Sequence, residues 1–407
     1  MIIKQGNRIV LFFLIIWSIV SCTPILGNPT YFVALLSVAI VMLIANNSLF
    51  KHQQFLVFGA LSYITLSLFY KIVGYSSAEW GNYMNQLLFF VPILLMLLMQ
   101  DRLNVRQKRL LCLIMLLVMF VNIADNIRLS ILYPELNAVG RLYQDADFLS
   151  SINVGGTTFY TFTLFVFNIC FFIYLNCKEK KIRYIVLVIA IVSSIYILVF
   201  SLRGSIVVYF LLSIILQYFA FKTRNTTLFL FILIFAGIIT FITVVLFQDV
   251  IIDFIISISP NERLTTRLVT LVDVENEEAN LYTITGRTNL YLLSVHTWLS
   301  DITNFFFGIG DHRAAQGAIT TGIGQHADLL DTLARYGLLG LVLIFLTFKY
   351  YFEFLISLFE KKYKQQLLTI FTILIMCGVT KGIFAAGVGC VIFLLLPLSS
   401  AFVNENK

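Results

Sequence analysis

The chain has 407 residues, of which 59% are hydrophobic and 12% charged, with a mean hydropathy of +0.92. A soluble globular chain is about 45–50% apolar and about 25% charged, so this composition excludes an ordinary soluble enzyme, a disordered regulator and a disulfide-stapled secreted module. The formal charge of +7 does not point to nucleic acid, because the basic residues fall in short clusters between apolar runs rather than along one stripe. The expectation is an all-α integral membrane protein in contact with the lipid bilayer.

At the start of the chain, Lys4 and Arg8 precede an apolar run that ends at Ser21-Cys22. The run has the outline of a lipoprotein signal, but with so many apolar runs behind it we read it as a first membrane span with its basic residues inside. Runs of membrane length then recur, giving twelve spans at about 9–23, 31–50, 55–73, 84–100, 109–124, 155–176, 184–201, 204–221, 226–247, 337–358, 366–380 and 383–402. Twelve helices of about 20 residues would use about 240 residues, close to the whole apolar fraction. No internal repeat or low-complexity linker interrupts them, so residues 1–407 read as a single polytopic membrane domain.

The basic residues orient this domain. With the N-terminus in the cytoplasm, 17 of the 28 lysines and arginines lie inside, in clusters such as Arg102–Arg109, Lys178–Arg183 and Lys361–Lys364. Ten lie outside, and Lys349, within span ten, is the remaining one; it sits one helical turn from Glu353, with which it is expected to pair. Both termini are therefore expected on the cytoplasmic side of a multi-pass inner-membrane protein. The six cysteines mostly fall in or at the ends of apolar runs, with no CxxC pair and no zinc spacing, and read as small packing residues.

Two outer segments are longer than a connection needs, one at about 125–154 and the other at 248–335, between spans nine and ten. The second holds eleven acidic residues, five arginines and three of the four histidines. Leu264, Leu268, Leu271 and Val272 repeat at helical spacing, as do Leu292, Val295 and Leu299, which predicts an ordered, partly helical cap on the outer face. His296, His312 and His326 match no metal-ligand spacing, so no metal site is expected. Asp145 and Asp147 in the shorter segment read as a solvated acidic turn. No nucleotide-binding glycine motif is present, and no cofactor is expected.

Three positions in this outer half point to chemistry. Arg203 lies in the sequence SLRGS, a short turn between spans seven and eight, so its guanidinium sits at headgroup depth. Gly204 and Ser205 open span eight, and a helix N-terminus beside an arginine makes a phosphate site; the plainer alternative is an arginine that anchors a helix end. Arg287 follows Thr285, a candidate N-cap, and falls in the first turn of a helix of about four turns, where a cation is disfavoured unless an anion is near. The alternative there is a solvated surface arginine. His326, in GIGQHADLLDTLARYGLLG, lies near the start of a helix that feeds into span ten, a place that favours a neutral imidazole able to act as a general base. A solvated loop histidine is the alternative. Asp328 is close enough to orient it, Arg313 and Lys381 are further supporting candidates on the outer side, and Asp331 and Arg335 have the spacing of an ordinary helix ion pair.

Taken together, SLRGS, GRTNLY followed by FFFGIG, and GQHADLLDTLARYGLLG resemble the membrane superfamily of O-antigen ligases and Wzy-type polysaccharide polymerases. The resemblance covers roughly residues 195–345, and the long outer loop between spans nine and ten agrees with it. It implies a metal-independent glycosyltransferase whose donor is an oligosaccharide on a polyprenyl pyrophosphate. Arg203 and Arg287 would hold the pyrophosphate, and His326 would activate the acceptor hydroxyl. A histidine followed by Asp328 and by Leu333-Ala334-Arg335-Tyr336-Gly337 resembles the polymerases more than the ligases, which implies an O-antigen or capsule polymerase, a class that commonly acts beside a chain-length regulator. A ligase acting on lipid A–core is the first alternative. A lipid-linked glycan flippase or transporter is the second, and against it spans one to nine hold essentially no ionisable residue at mid-membrane depth.

Overall fold

The computed structural model describes residues 11–17, 19–20, 54–74, 76, 80–100, 103–132, 157–200, 204–223, 229, 235, 284–311, 321–324 and 327–404. Among these the secondary structure is entirely helical. Residues 11–17 and 19–20 are helical, within the first predicted span. Then come α1 (Gln54–Ile72), α2 (Trp80–Met99), α3 (Val105–Leu132), α4 (Thr157–Asn176), α5 (Lys180–Phe200), α6 (Gly204–Lys222), α7 (Ile284–Leu299), α8 (Ile302–Phe307), α9 (Asp328–Leu358), α10 (Lys364–Thr380) and α11 (Ala386–Val403).

By length and composition, eight described helices can cross a membrane, namely α1, α3, α4, α5, α6, α9, α10 and α11, and α2 contributes a shorter apolar stretch at Gln86–Leu97. The protein is an all-α membrane protein. Predicted spans 31–50 and 226–247 lie outside the described residues, apart from Phe229 and Phe235. One boundary differs from the sequence reading. Helix α3 runs on to Leu132, so the start of the shorter outer segment is helical and carries an exposed Arg128–Asp125 pair at 2.8 Å. The helix expected to feed into span ten opens at Asp328, and α9 breaks without ending at Gly337, where span ten was placed.

Helix contacts are made by aromatic rings and by a few polar pairs, as expected where lipid supplies no hydrophobic drive between helices. Phe89, Phe90, Phe384 and Phe393 cluster with Tyr63, with ring centroids 4.9–6.3 Å apart. The Gln217 amide donates to Asn168 Oδ1 at 2.7 Å and ties α6 to α4, and Asn176 donates to Gln366 at 3.0 Å and ties α4 to α10. In α11 a π turn at Val391–Leu395 widens the helix, and the Ile392 carbonyl accepts from the Tyr351 hydroxyl at 2.9 Å. The five described cysteines are buried and unbridged, in keeping with a packing role.

The helix ends gather at two poles. At one pole Arg109 bonds Glu179 at 2.7 Å and the Ala401 carbonyl at 2.7 Å, the Tyr363 hydroxyl donates to the Val403 carbonyl, and Asn404 donates to the Leu358 carbonyl. This pole holds the basic clusters at the starts of α3, α5 and α10. The opposite pole holds the ends of α1 and α10, the start of α9, and helices α7 and α8. Lys349 and Glu353 do not pair: the Lys349 ammonium sits 5.2 Å from the centroid of the Tyr350 ring instead. Both side chains lie on the outside of the bundle, where no packing orders the two long chains into one geometry.

Candidate functional site

Helix α7 forms where the sequence predicts it, but two residues early. It opens at Ile284, so Thr285 is its second residue rather than its N-cap, and Arg287 stays in the first turn. It buries a face other than that of the periodic leucines. Leu292 and Leu299 are each 57% exposed, whereas Leu290 and Ser294 are buried. The reason lies in what faces the helix: a carboxylate and a glycine amide, which want a hydroxyl rather than a leucine.

Helix α8 is set by Asp301, whose side chain caps the Thr303 and Asn304 amides at 2.7 and 2.9 Å. It ends at Gly308, with φ +72, and the chain turns into Ile309-Gly310-Asp311. The break in α9 at Gly337, with φ +62, leaves the Ala334 and Arg335 carbonyls without helical partners. Those two carbonyls accept from the Ile309 and Gly310 amides at 2.8 and 2.9 Å. The fit depends on two bare α-carbons, since a Cβ on Gly308 would strike the Arg335 backbone and one on Gly337 would strike that of Phe306. FFFGIG and ARYG therefore interlock as one backbone joint.

Beneath this joint lies a sealed group of charges. Arg335 and Asp331, each 1% exposed, and Asp311, 0% exposed, share one space. Arg335 Nε is 3.2 Å from Asp311 Oδ1, and Nη2 is 3.9 Å from Asp331 Oδ2. Asp331 and Arg335 thus meet as their spacing predicts, but as part of a buried triad, not as an ordinary surface pair. The Asp311 amide also donates to the Ser76 hydroxyl at 2.6 Å, so the triad is tied to the segment between α1 and α2.

A second centre is the turn after α10. Three elements reach Thr380–Phe384. Tyr209, one and a half turns into α6, has its hydroxyl 2.6 Å from Thr380 Oγ1. Tyr291, one turn beyond Arg287 on α7, donates to the Thr380 carbonyl at 2.9 Å. Asp328, the first residue of α9, donates its amide to the Lys381 carbonyl at 3.2 Å, and its Oδ2 accepts from both the Ile383 and Phe384 amides at 2.6 Å. Two amides converging on one carboxylate oxygen form a strong charge-assisted clamp.

The predicted residues stand as follows relative to the described elements. Arg203 lies outside the described residues and directly precedes Gly204, the first residue of α6. Arg287 belongs to the first turn of α7, and its side chain lies outside the described atoms. His326 lies outside the described residues, between Gly324 and Ala327, and Arg313 also lies outside them. Asp328 is described and clamps the turn. Lys381 is the residue after α10, buried at 4% exposure, with its amide donating to the Cys377 carbonyl at 2.6 Å.

The structure thus brings α6, α7 and the start of α9 together on a single turn, through Tyr209, Tyr291 and Asp328. Sequence reading missed Tyr209, Tyr291, Thr380 and Ser294, none of which carries a distinctive spacing. The one available signal was the helical register that places Tyr291 and Ser294 one and two turns after Arg287. No protein-family model matches the chain, and no curated protein does.

Proposed function

We propose that the chain is a metal-independent membrane glycosyltransferase that polymerises polyprenyl-pyrophosphate-linked oligosaccharide repeat units, as an O-antigen or capsule polymerase. The site faces the outer side of the bacterial cytoplasmic membrane, with both termini in the cytoplasm. The observation that carries the reading is the meeting of α6, α7 and α9 at Thr380–Phe384. In sequence, Arg203 directly precedes α6, Arg287 belongs to the first turn of α7 and His326 stands two residues before α9.

In the proposed reaction, a sugar hydroxyl of the acceptor attacks the anomeric carbon of the donor glycan. The new glycosidic C–O bond forms as the bond from that carbon to the pyrophosphate oxygen breaks. His326 accepts the hydroxyl proton, and Arg203 and Arg287 offset the charge gathering on the departing polyprenyl pyrophosphate. Bidentate guanidinium contacts suit this leaving group better than a lysine point charge. Arg203→Lys and Arg287→Lys are each expected to lower turnover about 100-fold, as loss of one oriented donor to a developing anion does.

The test is a gel of surface polysaccharide from a strain lacking the protein. In a host that attaches its glycan to lipid A–core, core carrying a single repeat unit means that chain growth is lost and supports a polymerase. Bare core with long lipid-linked polymer accumulating in the membrane assigns the ligase reaction instead.

A further inference from the structure

We infer that Ser294 and Asp331 are a positioning pair that fixes the Gly324 and Ala327 amides to the helix carrying Arg287. The inference rests on the proposed reading of His326 as the base. Ser294 is fully buried, two turns beyond Arg287 on α7. Its hydroxyl donates to Asp331 Oδ1 at 2.7 Å and accepts from the Gly324 amide at 2.8 Å. The other oxygen, Asp331 Oδ2, accepts from the Ala327 amide at 3.2 Å. The chain therefore enters and leaves positions 325–326 from amides held by one hydroxyl–carboxylate pair, and the hydroxyl belongs to the Arg287 helix.

Packing alone does not call for this arrangement. Two helices are joined at least as well by apolar side chains of similar volume, and a buried carboxylate is costly unless every partner is in place. What the polar pair adds is direction, because each hydrogen bond fixes a particular amide at a particular distance. Gly324 completes the device: a Cβ there would strike the Leu290 carbonyl on α7, so the absence of a side chain lets the segment lie on the helix. Arg335 holds Asp331 from its other side and extends the register to Asp311 and the Gly308–Gly337 joint. A base and a phosphate-binding arginine set on two elements need such a tie, since a shift of about 1 Å costs about 100-fold in rate.

The experiment uses the full-length chain in proteoliposomes, with a polyprenyl-pyrophosphate-linked oligosaccharide as donor and acceptor. Ser294→Ala is compared with Ser294→Thr, which keeps the hydroxyl, and with His326→Ala; hydrogen exchange is followed at the Gly324 and Ala327 amides. In Ser294→Ala we expect kcat to fall about 100-fold with KM for the lipid-linked substrate within about twofold. The Gly324 amide should lose its protection, and Ser294→Thr should restore both. Lost protection with full turnover overturns the positioning role, and unchanged protection overturns the hydrogen-bond geometry. A fall in kcat and rise in KM together, matched by loss of folded protein, overturns it in favour of a structural role. Full activity in His326→Ala instead removes the base assignment itself, an outcome visible whatever Ser294→Ala does.

Discussion

A guanidinium sealed between two carboxylates is expensive to leave half-made, and Arg335 is in that position with Asp311 and Asp331. Removing it strands two buried carboxylates, and breaking a buried pair in this way costs about 3–5 kcal/mol. Arg335→Met should therefore lower the thermal unfolding midpoint of the detergent-solubilised protein markedly, and adding Asp311→Asn should recover part of the loss. An unchanged midpoint in the single variant would show that the triad contributes nothing. Cys177 offers a different test at this scale. It lies between α4 and α5, where burial pushes its thiol above the usual range. The reactive thiolate then appears only at higher pH than for an exposed cysteine. In a variant whose other cysteines are replaced, the pH profile of alkylation should be displaced to the alkaline side, and a profile at or below the ordinary thiol position would count against its burial.

At the scale of elements, the joint between α8 and α9 is a prediction in itself. Gly308→Ala and Gly337→Ala each combine an unfavourable positive φ with a collision against the facing backbone. Each should destabilise by well over the ~1 kcal/mol that a left-handed conformation alone costs a non-glycine residue. Gly74→Ala is the control, since Gly74 also has a positive φ, +76, but has nothing within 4 Å of its Cβ position. If all three variants lose the same stability in thermal unfolding, the interlock is not tight.

The same elements show what sequence could and could not convey. Hydropathy located α1, α3–α6 and α9–α11, because a span announces itself by apolar length, and the glycines around 322–324 marked where the chain would turn. The buried face of α7 was not legible, because periodicity counts apolar residues and Ser294 faces a carboxylate supplied by another helix. Likewise, the spacing of Asp331 and Arg335 revealed that they pair. It could not reveal that Asp311, twenty residues upstream, closes over them, for that contact depends on the Gly308–Gly337 joint. The turn at Thr380–Phe384 was visible only as Lys381, since its importance comes from three elements distant in sequence.

Over the whole molecule, the two poles differ in what they gather. One gathers the basic clusters, with Arg109 joined to Glu179 and to the end of α11, as the cytoplasmic side of a membrane protein does. The other gathers the buried triad, the α8–α9 joint and the turn where α6, α7 and α9 meet. The most direct measurement is made on the purified full-length chain in proteoliposomes with a polyprenyl-pyrophosphate-linked oligosaccharide as the only substrate, followed by sizing of the released glycans. The account predicts a ladder of glycans longer than one repeat unit, abolished by His326→Ala while the protein remains in the membrane. Movement of the labelled lipid-linked glycan across the bilayer with no new glycosidic bond would contradict it.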